Sequence, residues 1–238
     1  MKPPFRFPPV TWSAVSLGLI ALALSACAKQ GPPPIVVSQD ALHGVWITFD
    51  PESGSGYDHP ATIEPERMQA ILEGLWAKHR DIVGGFGLFA GKEGMHAFDQ
   101  PDAQFLAPII KQALEKASPK DLTTFYLAGR ASANGRLVTS GGLFVRNGHI
   151  HIILANCQTS PYAIQYENTY SFDAREDPLL PIASKKFTIG FSPASAVIPN
   201  NQLRGTAEFR GYLDESKLVV LDLAKVPASS PKPAASAR

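Results

Sequence analysis

Hydrophobic and polar positions alternate along much of this chain in patterns that predict a short series of elements. From Val45 to Phe49, Val45, Ile47 and Phe49 fall on one side and Trp46 and Thr48 on the other, the period of a strand. Met68, Ile71, Leu72, Leu75, Trp76 and His79 then recur at helical spacing behind Thr62, a residue type that caps helices. That stripe predicts one continuous helix in which Trp76 and His79 pack against a sheet. A second stripe, Phe105, Leu106, Ile109, Ile110, Ala113 and Leu114, predicts a helix from near Pro101 to Lys116, started by Asp99 or Asp102. Pro108 either kinks it or marks the first turn of a shorter helix beginning near Ala107.

Between Leu122 and Asn156 the period is that of strands. Leu122 to Ala128, Arg136 to Arg146 and His149 to Ala155 are joined through Asn134-Gly135 and Asn147-Gly148, dipeptides that accept positive φ in tight hairpins. They predict an antiparallel meander, and Gly141-Gly142 inside its middle strand predicts a bulge or a close backbone approach. Tyr162 to Pro181 reads as one or two strands and a polar loop, Phe187 to Phe191 as a short strand, and Glu208 to Leu213 with Leu218 to Leu223 as a closing hairpin around Asp214-Glu215-Ser216. Six to nine strands and two amphipathic helices that do not strictly alternate predict an α+β domain on an antiparallel sheet.

The N-terminus follows a different pattern. Met1 to Pro9 carries Lys2 and Arg6 and no acid, and Val15 to Leu24 is a run of about ten mostly apolar residues, too short to cross a hydrocarbon core of about 30 Å as a helix. Leu24-Ser25-Ala26-Cys27 follows at once. In these residues the chain resembles bacterial lipoproteins, whose lipobox sets a Leu and two small residues before the Cys that becomes the mature N-terminus. The resemblance covers residues 1–27. It implies removal of residues 1–26 as a signal peptide and acylation of Cys27, hence a membrane as partner through the lipid; each buried methylene contributes about 0.8 kcal/mol, so two or three acyl chains hold firmly. Ala28, where an Asp would favour inner-membrane retention, implies the outer membrane of a two-membrane envelope, facing the periplasm. Residues 27–43 then read as the lipidated Cys and a spacer stiffened by Pro32-Pro33-Pro34, residues 44–226 as a single globular domain, and 227–238 as a disordered tail of Pro, Ala and Ser.

Composition removes some function classes. The chain has 238 residues, 45% hydrophobic and 18% charged, and loss of Lys2 and Arg6 with the signal takes the formal charge from +1 to −1. With no basic cluster longer than Lys185-Lys186, nucleic acid is not expected as a partner. Of the two cysteines, Cys27 is the lipidation site that the resemblance implies, which leaves Cys157 as a lone thiol, read as a small buried hydrophobe following a strand.

Candidate chemistry is sparse. Asp50 to Asp58 holds three acids and two glycines, yet a calcium loop needs Asp or Asn where Glu52 and Gly54 stand. Gly84 to Lys92 imitates a dinucleotide fingerprint and a phosphate loop, but Gly91 and Gly94 follow where the first should open a helix, and the second needs Gly at Phe86 and Ser or Thr at Glu93, so a glycine-rich strand or loop is expected. His149 and His151 point to one face of a strand but lack a third ligand, and read as exposed strand histidines. No cofactor, metal site or catalytic motif is therefore expected. Three functions fit: a non-catalytic binding or assembly module recognising an envelope protein, a glycan or a lipid; a lipid-anchored hydrolase of an envelope polymer, with some of Asp58, His59, His96, Glu167 and Asp173 converging in a cleft; and a subunit of an export or assembly machine, marked by a contiguous apolar patch.

Overall fold

A computed structural model describes residues 31–79, 94–132, 135–160, 174–182, 187–199 and 215–228. Contacts divide the chain into Met1–Pro32 and Pro33–Arg238, and the second unit carries every element named below. In order these are β1 (Ile35–Gln39), β2 (His43–Phe49), α1 (Pro65–Gly74), β3 (Leu75–His79), β4 (Met95–His96), α2 (Gln100–Lys116), β5 (Asp121–Ser132), β6 (Gly135–Arg146), β7 (His149–Thr159), β8 (Phe187–Phe191) and β9 (Leu218–Asp222). All described pairings are antiparallel. They build two sheets, β1-β2-β5-β6-β7-β9 and β4-β3-β8, where the sequence pattern predicted one.

The meander β5-β6-β7 forms as expected. Arg146 pairs with His149 across a two-residue loop in which Asn147 and Gly148 have φ of 53° and 73°, the geometry that matches the twist of paired strands. The register shifts between Ser140 and Gly141, and a Cβ on Gly141 would run into the carbonyl of Ile153 on the neighbouring strand. The glycine pair thus marks both a bulge and a close approach.

Helix α1 is shorter than its stripe. Pro65 occupies its first turn, Glu64 rather than Thr62 stands at the N-cap position, and Leu75 is already extended at φ −75°, ψ 132°. A Cβ on Gly74 would meet the Phe191 ring and the Ser192 carbonyl, so the backbone there lies tight against the β8 end and continues as a strand. Leu75, Trp76 and His79 therefore belong to β3, where Trp76 pairs with Gly190 and covers the space a side chain would fill. Helix α2 runs through Pro108 without breaking, and Asp99 holds its N-cap position. Its buried face is Ala103, Leu106, Ile110 and Leu114. Phe105, predicted to be on that face, is 41% exposed.

Strand β1 corrects the expected spacer of residues 27–43. Ile35, Val36, Ser38 and Gln39 pair with Ile47, Trp46, Val45 and Gly44, so the fold begins at Ile35 rather than at residue 44. β-branched residues directly after a proline run are strand formers once a partner strand lies alongside.

The six-stranded sheet is buried on both faces. On one, Val45, Ile47, Phe125, Leu127, Leu143, Ile150 and Ile152 pack with Met68 and Ile71 of α1, Leu106 and Ile110 of α2, and Phe187 and Phe191 of the small sheet. On the other, Leu122, Phe144, Ile153 and Val220 pack with Tyr57, while Trp46, Tyr126 and Val138 pack with Ala174 and Ile182. Burying a side chain such as Phe125 or Phe144 stabilises by about 2–3 kcal/mol. The loop over the second face is pinned by a buried polar network. Asn156 donates to the Ser140 hydroxyl (2.8 Å) and the Leu180 carbonyl (2.9 Å) and accepts from the Ile182 N–H (2.7 Å), while Ser140 donates to the Pro178 carbonyl (2.8 Å). Among the described residues no helix is long and apolar enough to cross a membrane.

Candidate functional site

Among the described residues, several polar and titratable side chains gather beneath the loop of residues 50–59. That loop crosses the ends of β5 and β6 because the Asp50 N–H bonds the Lys120 carbonyl, the Tyr57 N–H the Pro119 carbonyl and the Asp58 N–H the Val145 carbonyl, each at 2.8 Å. Tyr57 enters the second face, stacks on Phe144 (4.1 Å, 24°), and donates its hydroxyl to the Asp50 carboxylate. The His151 ring also lies nearly parallel to that of Phe144 (4.6 Å, 10°). Arg146 places its guanidinium 4.8 Å from the Tyr57 centroid and donates to the Ser53 carbonyl at 2.6 Å.

The electrostatics follow from burial. His151 is fully buried and neither ring nitrogen has a hydrogen-bond partner. Desolvation, reinforced by the positive Arg146 and by His149, pushes its pKa down to about 3, so it is a neutral ring at any ordinary pH. His59, also buried, accepts the Val145 N–H at 3.1 Å, and burial lowers its pKa too. These groups anchor a loop. The expectation that His149 and His151 are exposed strand histidines is thus corrected: they share a face, but that face is covered, and His151 is inside it.

A second constellation is exposed. In the β1–β2 turn Asp40 accepts from the backbone N–H groups of Leu42 (2.7 Å) and His43 (2.8 Å), and its other oxygen lies 3.1 Å from His43 Nδ1. The backbone bond from Leu42 is the main cause holding the Asp40 carboxyl below its usual range. The imidazole rests against Phe105, ring centroids 4.3 Å apart. Asp102 faces this turn with its pKa raised, first by burial and then by Asp99. Sequence reasoning missed this pair because residues 40 and 43 fell inside the expected spacer; the available signal was Asp-x-x-His between two β-branched runs, a turn pattern.

The residues proposed for hydrolysis do not converge where they are described. Asp58 accepts the Gly148 N–H at 3.4 Å, and His59 is fixed to Val145. His96 sits on β4, its ring near the Glu73 carbonyl (3.1 Å), beside Ala97, whose carbonyl accepts the Thr139 hydroxyl. Val145 and Thr139 are six residues apart on β6, about 20 Å of extended strand, and the two imidazoles lie near opposite ends of it. Cys27, Glu167 and Asp173 lie outside the described residues, as do the glycine-rich stretch of 84–92, the aromatic and acidic stretch from Tyr162 to Asp173, and the expected strand at 208–213. Asp50, read as part of a failed calcium loop, is occupied by Tyr57 and by the Glu52 N–H (3.0 Å). Among the described residues no three His, Cys, Asp or Glu side chains are placed to share a metal ion. Cys157 is buried as expected, but within β7, which runs on to Thr159 past the end expected at Ala155, and desolvation raises its thiol to about 12.

One concave feature among the described residues is a groove of about 590 Å³ between β8 and β9, lined by Thr188, Gly190, Ile198, Pro199, Glu215 and Leu218. It mixes apolar walls with hydroxyl and carboxylate groups and contains no histidine. No family model, curated protein or solved structure matches the chain.

Proposed function

We propose that this chain is a membrane-anchored envelope lipoprotein, tethered by acyl chains on Cys27 to the outer membrane and facing the periplasm, with an α+β domain that serves as a non-catalytic binding or assembly module. The observation that carries the reading is the succession of Lys2 and Arg6, the apolar Val15 to Leu24 and the lipobox Leu24-Ser25-Ala26-Cys27. A module is favoured over an enzyme by how the described polar groups are used. The buried cluster around Tyr57 and Arg146 fastens a loop, and the exposed Asp40–His43 pair spends its carboxylate on two backbone N–H groups of a turn. The groove between β8 and β9 offers a surface of apolar, hydroxyl and carboxylate groups on which a ligand could be held.

Intact-mass measurement of the protein from the membrane fraction, for wild type and Cys27→Ala, tests the tether. The expected result is a wild-type mass lacking residues 1–26 and carrying acyl chains, with the variant uncleaved. An unacylated wild type recovered in the soluble fraction overturns the reading.

A further inference from the structure

The groove between β8 and β9 is walled on one side by the open edge of a strand. Antiparallel pairing sends the backbone groups of successive residues to alternate sides. In β8 the Ser192 N–H bonds the Gly74 carbonyl at 2.9 Å, and the register of Gly190 with Trp76 and Thr188 with Lys78 continues that set, so these residues face β3. Phe187 and Ile189 therefore turn their backbone groups to the groove. The Phe187 carbonyl is met there by the Ser216 hydroxyl at 2.8 Å. Ile189, only 6% exposed, has its N–H and carbonyl on this side with no partner among the described residues. Backbone groups of so covered a residue are paired in nearly all folded proteins. Across the groove, Ile198 bonds its N–H to the Val220 carbonyl of β9 at 2.8 Å, and Pro199, which has no N–H, ends that pairing. Leu218 shares the outer side of β9 with Val220 and lines the groove beyond that point.

We infer that this groove takes an extended polypeptide segment of a partner protein, seated as an added strand on β8 with its backbone paired to Ile189. This deepens the binding-module reading and rests on that part of it, not on the tether. The unpaired groups are the donor and the acceptor of one residue, turned the same way, and one residue of an antiparallel strand is their complement. The floor is apolar, because Ile189 and Val219 both belong to the main core, so the peptide residue opposite Ile189 points a small or apolar side chain inward. The Glu215 carboxylate at one end favours a basic residue there. A sugar ring is a poorer fit, since no aromatic face is among the described lining residues and the Ser216 hydroxyl is given to Phe187.

The test uses the full-length protein in detergent and, as probe, an array of random peptides of about twelve residues, long enough to hold a strand. The expected result is a set of bound peptides that share alternating apolar positions. N-methylation along a bound peptide should weaken it about tenfold at every second residue and little between them, because alternate peptide N–H groups reach β8. On the protein side, amide exchange at Ile189 should be fast in the free chain and slow with peptide bound. Ile189→Pro, which deletes an outward N–H and no bond to β3, should lose binding; if that variant does not fold, the exchange of wild-type Ile189 decides. An array without bound peptides, or N-methyl effects without alternation, overturns the inference. Slow exchange at Ile189 in the free monomer also overturns it, by showing the groove filled by the chain itself, and slow exchange that appears only on dimerisation does so by making a second copy the occupant. Cleavage of a bound peptide with the alternation kept supports the seat and ends the non-catalytic reading instead.

Discussion

The imidazole of His151 lies 4.6 Å from the ring of Phe144 and within 10° of parallel, and neither of its nitrogens is hydrogen bonded. The folded state holds this histidine at a pKa of about 3 against 6.5 in a model peptide. Between those values the unfolded chain takes up a proton that the native protein refuses. Stability is therefore full above pH 6.5, falls by about 1.4 kcal/mol per unit down to pH 3, and loses nothing more from this group below that. Urea unfolding at pH 7, 5 and 4 measures the slope. His151→Leu should flatten it and leave stability at pH 7 unchanged or raised, because two unsatisfied polar atoms leave the core; an unchanged slope would show that other groups dominate.

Tyr57→Phe removes the hydroxyl that reaches the buried Asp50 carboxylate. With its ring stack on Phe144 retained, the variant should lose about 1–3 kcal/mol, the cost of depriving a buried charged acceptor of a donor. Denaturant titration at pH 7 reads this loss. A loss below the detection limit would mean that the loop is held by its backbone bonds alone.

Cys157 should be inert in the native protein. Its thiol is buried and raised to about 12, so an aromatic disulfide reagent at pH 8 finds no thiolate. Labelling should proceed at the rate of unfolding and accelerate with urea, and rapid stoichiometric labelling of folded protein would contradict the placement of this residue in the core.

Gly141→Ala and Gly148→Ala separate two reasons for glycine. At 141 a methyl group meets the Ile153 carbonyl, and overpacking costs about 1–3 kcal/mol. At 148 nothing lies within 4 Å, and the penalty is the φ of +73°, about 1 kcal/mol. Thermal unfolding should rank 141 as the more damaging position; the reverse order would place the strain in the turn.

Those hairpin glycines were legible because Asn-Gly acts locally, on two φ angles. The end of α1 was not. Leu75 and Trp76 satisfy both the helical spacing and the strand alternation, and the choice is made by β8, whose Phe191 and Gly190 pair with them from far along the chain. β1 was hidden for a similar reason, since three prolines suggested a spacer and nothing local announces that Ile35 will find Ile47. The polar cluster was the least legible feature. Asp50 and Tyr57 come from a loop, Phe144 and Arg146 from one strand and His151 from the next, and only the closed sheet brings their rings together. His151 was placed on the right face, but the sequence holds no sign that loop residues cover that face.

The sheet order has a kinetic meaning. The β5-β6-β7 meander closes through short turns, whereas β2 reaches β5 across 76 residues in the contact between the Thr48 and Thr124 hydroxyls. Closing that long loop carries an entropic cost that near-neighbour hairpins avoid. The meander should be the nucleus, with β2, β1 and the helices condensing on it afterwards, and substitutions in β5 to β7 should slow refolding while those in β2 mainly speed unfolding. A chain emerging from its N-terminus would therefore hold β1 and β2 in waiting until the middle of the protein arrives to receive them.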